Sequence, residues 1–395
     1  MDSVATADRR QNIVTDPVRV MVVDDSVVAR GLMTRWVDED PELAVIASHR
    51  NGKLAVADVM RSEPDVIILD IEMPEMDGLT ALPLLLKARP GVQIVMASTL
   101  TRRNAEISLK ALSLGASDYI PKPDGNSSMT TSSDFRRDLV EKVRALGRRC
   151  QRRRLPSAPR EAVAAHPVAR AAVSPSLAGE AVPARRTAAS GSFKLRNWSS
   201  VMPKALAIGS STGGPQALAK VMQTLGPGLK GVPVFITQHM PATFTAILAE
   251  HLSKASGLVA AEGVDGESVT AGRIYVAPGG KHMLVRKGAT GPVIRLSDEP
   301  PVNFCKPAVD PMFQSIAEVY GPSVLSAILT GMGSDGARGA VAVADHGGSV
   351  VAQDEETSVV WGMPQAAANS GACAAVLPLD ELAATLGRVL KGGRP

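Results

Sequence analysis

Short β-branched runs alternate with amphipathic stretches over most of the chain. VRVMVVDD, DVIILD and VQIVMAS are apolar almost throughout and end in polar residues, the pattern of strands buried on both faces. Between them, VVARGLMTRWVDED and GLTALPLLLKAR carry apolar positions at helical spacing. Strands alternating with helices predict βαβ units and a parallel sheet, with chemistry at the carboxyl ends of the strands. The alternation lapses from 147 to 200 and resumes at Lys204, where KALAIGS, VPVFITQH, LVAAEGV, RIYVAP, VLSAILTG and SVVAQ read as strands. Helical patterns around 217–225, 244–254, 311–319 and 337–344 separate most of them. The expected fold class is α/β, with two doubly wound parallel-sheet domains over residues 18–146 and 201–395. Residues 1–17 are expected to be a flexible N-terminus and 147–200 a flexible linker.

Charge sharpens this division. The 395 residues carry a formal +4, but Gly147–Arg196 holds ten Arg and one Lys against two Glu, a local +9, so the remainder carries −5. With twelve Ala and five Pro, that segment cannot bury enough apolar surface to offset its ordering entropy. Its basicity reads as a solvated tether. Aromatics make only 3% of the chain, few for a protein that stacks bases, and no helix-turn-helix pair is visible, so nucleic acid is not an expected partner. Cys150, Cys305 and Cys373 are odd in number and widely spaced, which argues against a disulfide scaffold or a zinc site. No run of about 18 apolar residues is present to insert in a membrane, and the N-terminus lacks the apolar core of a secretory signal. The expected location is the cytoplasm.

In the first domain, two strands end in carboxylates: Asp24 and Asp25 after MVV, and Asp70 after VIIL. Such a hard oxygen cluster suits Mg²⁺. The third strand ends in Ser98-Thr99, and SDYIPKP supplies Lys122. A hydroxyl and an ammonium beside three carboxylates are what an acyl phosphate requires. This set resembles the receiver domain of bacterial two-component response regulators, over roughly residues 18–140. The resemblance implies that Asp70 is the phosphoacceptor and that Asp24 and Asp25, with Asp70, hold Mg²⁺. It also implies Ser98 as switch hydroxyl (with Thr99 adjacent), Tyr119 as switch aromatic and Lys122 as the phosphate-sensing lysine.

In the second domain, KALAIG runs into SSTGGPQAL, a Gly-rich turn opening a helix. It lacks both the GxGxxG and the GK[ST] phosphate fingerprints. VFITQ ends in His239, and VLSAILTGMGSDG ends in a turn bearing Asp335. A serine, a histidine and an aspartate at three strand ends can meet on one sheet edge, the set that deprotonates a serine for attack on a carbonyl. The order Ser…His…Asp and the missing GxSxG exclude the α/β-hydrolase pattern.

IGSSTGG, ITQHMP, IYVAPGGKHM, PPVN, ILTGMGSDGARG and WGMP, in this order, resemble the catalytic domain of chemotaxis protein-glutamate methylesterases (CheB). The resemblance, from receiver through linker to esterase, implies Ser211 as nucleophile, His239 as base, Asp335 as its orienting acid and the Met332 N–H as oxyanion donor. Ser210 stands where relatives usually have Ala, and Phe304-Cys305-Lys306-Pro307 replaces a His-Arg-Pro stretch. The implied function is phosphorylation-controlled hydrolysis of glutamyl γ-methyl esters on chemoreceptors, with deamidation of Gln, and a histidine kinase as phosphodonor. No metal or other cofactor is expected at the esterase site. A DNA-binding regulator and an adaptor on a degenerate esterase fold are the alternatives.

Overall fold

The computed structural model describes residues 16–99, 101–122, 133–154 and 193–395. The expected flexible segments therefore fall largely outside the described residues. The first domain consists of β1 (Val18–Val23), α1 (Val27–Asp38), β2 (Leu43–His49), α2 (Gly52–Ser62), β3 (Val66–Asp70), α3 (Gly78–Ala88), β4 (Gln93–Thr99), α4 (Arg102–Ser113), β5 (Asp118–Lys122) and α5 (Ser133–Arg154). The strands form a parallel sheet in the order β2-β1-β3-β4-β5. β3 is buried along its whole length because helices cover both faces. β2 escapes the sequence pattern because it lies at the sheet edge, half-exposed, with few fully buried positions.

Both ends of the expected linker are corrected. Residues 147–154, expected to be flexible linker, continue α5, which stays helical to Arg154. Leu139, Val143, Leu146 and Cys150 form a buried stripe at 3–4-residue spacing against the sheet. Arg148 adds an ion pair to Glu42 at 2.6 Å. At the other end, Phe193–Ser200 already lies on the second domain: the Arg196 N–H donates to Cys373 O at 2.9 Å, and Phe193 meets Trp361 edge-on.

The second domain runs β6 (Ala205–Ser210), α6 (Gly214–Leu225), β7 (Val234–Gln238), α7 (Ala242–Ser256), β8 (Val259–Glu262), β9 (Arg273–Val276), β10 (His282–Lys287), β11 (Pro292–Ser297), α8 (Val309–Tyr320), β12 (Val324–Ile328), α9 (Ala337–Asp345), β13 (Ser349–Gln353), α10 (Gly362–Asn369), β14 (Ala375–Leu377) and α11 (Leu379–Leu390). Seven parallel strands are ordered β14-β13-β12-β6-β7-β9-β8, while β10 and β11 form a separate antiparallel hairpin. The chain moves outward from β6 on one side, then returns to β12 on the other. The switch point lies between β6 and β12, where ligands of doubly wound sheets bind.

The domains pack together. The Tyr119 ring of β5 stacks on Phe244 of α7 (centroids 4.4 Å apart, planes at 12°), and Gln216 of α6 donates to Ala116 O at 2.8 Å. Val359 and Val360 pack against the apolar cluster that includes α5.

Candidate functional site

β1 and β3 are neighbours, so the residues at their carboxyl ends share one edge. Asp24, Asp25 and Asp70 each present a carboxylate oxygen there, all within 4.8 Å of one another. Lys122, ending β5, reaches in to 2.7 Å from Asp24 Oδ2 and 2.7 Å from Asp70 Oδ1. Burial, reinforced by the Asp24 charge, outweighs Lys122 and pushes the Asp70 carboxyl up to about 6. Burial works against the Lys122 charge too, but Asp70 and Asp24 overcome it and raise its pKa. Three carboxylates against one ammonium leave a negative, all-oxygen donor set whose chemistry fits Mg²⁺. A cleft of about 530 Å³, lined by Asp25, Met73, Arg103 and Ile107 among others, opens beside it. Ser98 is buried, its hydroxyl 3.0 Å from Ser108 Oγ on α4, whereas Thr99 Oγ1 accepts from Asn104 Nδ2 at 2.7 Å. Tyr119 faces the second domain rather than solvent.

In the second domain the two adjacent serines differ sharply. Ser210, the last residue of β6, is fully buried and donates to Gln238 Oε1 at 2.7 Å. Ser211 is partly exposed in the turn before α6, with its N–H bonded to Thr330 O at 3.0 Å. Gly213 completes the turn at φ +75°, a conformation that suits glycine. Beneath Ser211 passes Gly331, where a Cβ would come within 2.9 Å of Ser211 Cβ. The Gly331 N–H is committed to Val360 O at 2.9 Å; among the described residues no acceptor engages the next amide, that of Met332.

His239 follows β7, and its Nε2 lies 2.7 Å from Asp335 Oδ2. The carboxylate is held from several sides: Val309 and Asp310 N–H at the start of α8 donate at 2.6 and 3.1 Å, and Asn303 Nδ2 at 3.2 Å. Burial raises the Asp335 pKa, but the His239 hydrogen bond and charge and the two amides prevail and lower it. Nδ1 of His239 faces Cys305 Sγ at 3.3 Å. Burial opposes the imidazolium, yet Cys305 and Asp335, both within hydrogen-bonding distance of the ring, push its pKa up to about 10. Ser211 and His239 share this edge, but no hydrogen bond joins them among the described residues.

A family model described as CheB methylesterase matches residues 206–386, and one described as response regulator receiver domain matches residues 20–132. The protein-glutamate methylesterase/protein-glutamine glutaminase of group 2 operon from Rhodopseudomonas palustris is 53% identical over 379 residues, 96% of each chain. That of Bradyrhizobium diazoefficiens is 53% identical over 378 residues, 96% of this chain and 95% of the other. This chain belongs to the protein-glutamate methylesterase/protein-glutamine glutaminase family. Among solved structures, the CheB methylesterase catalytic domain of Thermotoga maritima is 39% identical, covering 47% of this chain and 98% of that one with a TM-score of 0.46. The response regulator domain of the same protein is 38% identical, covering 32% of this chain and 94% of that one with a TM-score of 0.29.

Sequence reading alone did not single out three residues of this methylesterase-family site. Asn303 lies within the PPVN motif but gains meaning only through its bond to Asp335. Gln238 joins Ser210 to the Ser211 carbonyl, which its Nε2 reaches at 2.9 Å. Asp310 ties Asn303 to the start of α9, accepting from Asn303 Nδ2 at 3.3 Å, Gly339 N–H at 2.7 Å and Arg338 Nε at 3.0 Å. A polar residue held beside a family motif was the available signal. Which groups it reaches depends on the fold. No described helix is long and apolar enough to cross a membrane.

Proposed function

We infer that this chain is a phosphorylation-regulated protein-glutamate methylesterase with protein-glutamine glutaminase activity, acting in chemotaxis adaptation, and that Ser211, His239 and Asp335 do its chemistry. The observation that carries the residue assignment is the His239–Asp335 pair, set at 2.7 Å on the sheet edge that also presents Ser211. Ser211 Oγ attacks the γ-carbonyl of a methylated glutamate on a chemoreceptor, and His239 takes its proton as Asp335 holds the ring. The Met332 N–H receives the oxyanion; a fixed backbone dipole needs no reorganisation to do so. Proton return from His239 releases methanol, and water then hydrolyses the glutamyl-enzyme. A glutamine side chain follows the same course once its leaving nitrogen is protonated. His239 must swing Nδ1 from Cys305 toward Ser211 for this to begin.

In the receiver, Asp70 accepts phosphate from a histidine kinase, Lys122 offsets the added charge, and Ser98 and Tyr119 report it to α4 and the domain contact. Asp24, Asp25 and Asp70 would hold Mg²⁺, which when bound neutralises phosphate oxygens. The Tyr119–Phe244 stack gives the unphosphorylated receiver a grip on α7, the helix that follows His239. Phosphorylation shifts the population away from that docked state. The test is methanol release from methylated receptor with and without a small-molecule phosphodonor. Stimulation in the parent chain, its loss in Asp70→Asn and complete loss of turnover in Ser211→Ala are the expected results. Turnover surviving in Ser211→Ala would overturn the assignment.

A further inference from the structure

Asn303 and Phe304 both adopt left-handed backbone, with φ 51° and 62°. They fold Val302 back onto Cys305 through paired hydrogen bonds of 3.1 and 2.9 Å. This tight turn aims Cys305 Sγ at His239 Nδ1, 3.3 Å away, while Nε2 is fixed on Asp335 at 2.7 Å. Cys305, His239 and Asp335 thus form a thiol–imidazole–carboxylate chain, the arrangement that converts a thiol into a thiolate nucleophile. The other cysteines lie elsewhere. Cys150 and Cys373 are buried, and burial pushes the Cys373 thiol up to about 12. Cys305 is partly exposed, next to the exposed Phe304.

We propose that Cys305 is a modification site for hydroperoxides, activated by His239, and that its oxidation silences the esterase. His239 takes the thiol proton. The sulfur attacks one peroxide oxygen, an S–O bond forms and the O–O bond breaks. The departing hydroxide takes the proton from the imidazolium and leaves as water when the oxidant is hydrogen peroxide. Sulfur loses two electrons and the peroxide gains them, giving a sulfenic acid. The new oxygen lies against Nδ1, the ring nitrogen that Ser211 needs. A small thiol condenses with the sulfenic acid to a mixed disulfide and water, and a second thiol restores Cys305 by exchange.

The experiment treats the full chain with hydrogen peroxide and dimedone and locates the adduct by mass spectrometry. Cys305 should be tagged and Cys150 and Cys373 spared. Iodoacetamide should alkylate Cys305 at least about tenfold faster than free glutathione at the same pH, because a base lies 3.3 Å from its sulfur. His239→Gln should remove that advantage. Alkylation no faster than glutathione overturns the proposal, and this comparison uses the unsubstituted chain, so it holds even if His239→Gln fails to fold. In a parallel sample treated with peroxide alone, loss of methanol release should match the dimedone-tagged fraction and reverse with dithiothreitol; tagging with turnover intact overturns the silencing. Only this last arm rests on the proposed esterase function. An untreated chain with no turnover would count against that function and leave the tagging result standing.

Discussion

Two hydroxyls stand side by side at the end of β6, and their surroundings give them different work. Ser210 donates to Gln238 Oε1 inside the protein. Ser210→Ala would leave that acceptor unpaired, a loss of about 1–3 kcal/mol. The expected outcome is a lower thermal midpoint with most methanol release retained. Ser211→Ala should do the reverse, keeping the midpoint and losing turnover on the order of a million-fold. The opposite ranking would move the nucleophile to Ser210. His239 carries a pH prediction. Its pKa, near 10, is opposed by burial and raised by Cys305 and Asp335, with Asp310 one step further out through Asn303. A general base must be neutral, so kcat/KM should climb with pH until it approaches that value. Cys305→Ala removes a raising influence, so the climb should shift to lower pH. A midpoint that stays put would mean that the thiol has no hold on His239.

At the scale of elements, the turn between β12 and α9 decides the site. It passes so close beneath Ser211 that Gly331 has no room for a side chain: an added Cβ would also lie 3.0 Å from Ser211 N. Gly331→Ala must therefore displace the Met363 side chain, whose Sδ would lie 2.3 Å from the new Cβ, and crowd the Ser211 turn. A displacement of even about 1 Å in a reacting group lowers turnover roughly a hundredfold. We expect kcat to fall by that order with KM little changed; a KM effect alone would place Gly331 in substrate binding instead. The helix α5 illustrates how a composition argument can be outweighed. Arg-rich and polar in its last turns, it is held by Leu146 and Cys150 on the buried face and by Arg148 on Glu42.

For the whole molecule, the question is what the domain contact restrains. Stacked aromatic pairs contribute about 0.5–1.5 kcal/mol beyond the area they bury, a roughly two- to tenfold bias between docked and undocked states. Tyr119→Ala should therefore raise methanol release without phosphodonor by that factor and reduce further stimulation by phosphorylation. The Arg102–Glu250 pair across the same contact is exposed at both ends, so Glu250→Gln should change little. Basal turnover unchanged in Tyr119→Ala would show that this face does not hold the esterase in check.

The carboxylates, the Ser211 turn, His239 and Asp335 were legible in the sequence for one physical reason. In a parallel sheet every carboxyl end lies on the same edge, so a residue just after a strand is placed by local pattern alone. The two parallel sheets followed from the same alternation of apolar runs. Strand order, the β10–β11 hairpin and the half-exposed β2 did not, because pairing and edge position depend on partners far along the chain. The same holds for Cys305 on His239, Asn303 on Asp335 and Tyr119 on Phe244, separated by 66, 32 and 125 positions. Local periodicity says which face a side chain occupies; only the packed fold decides what waits on the other side.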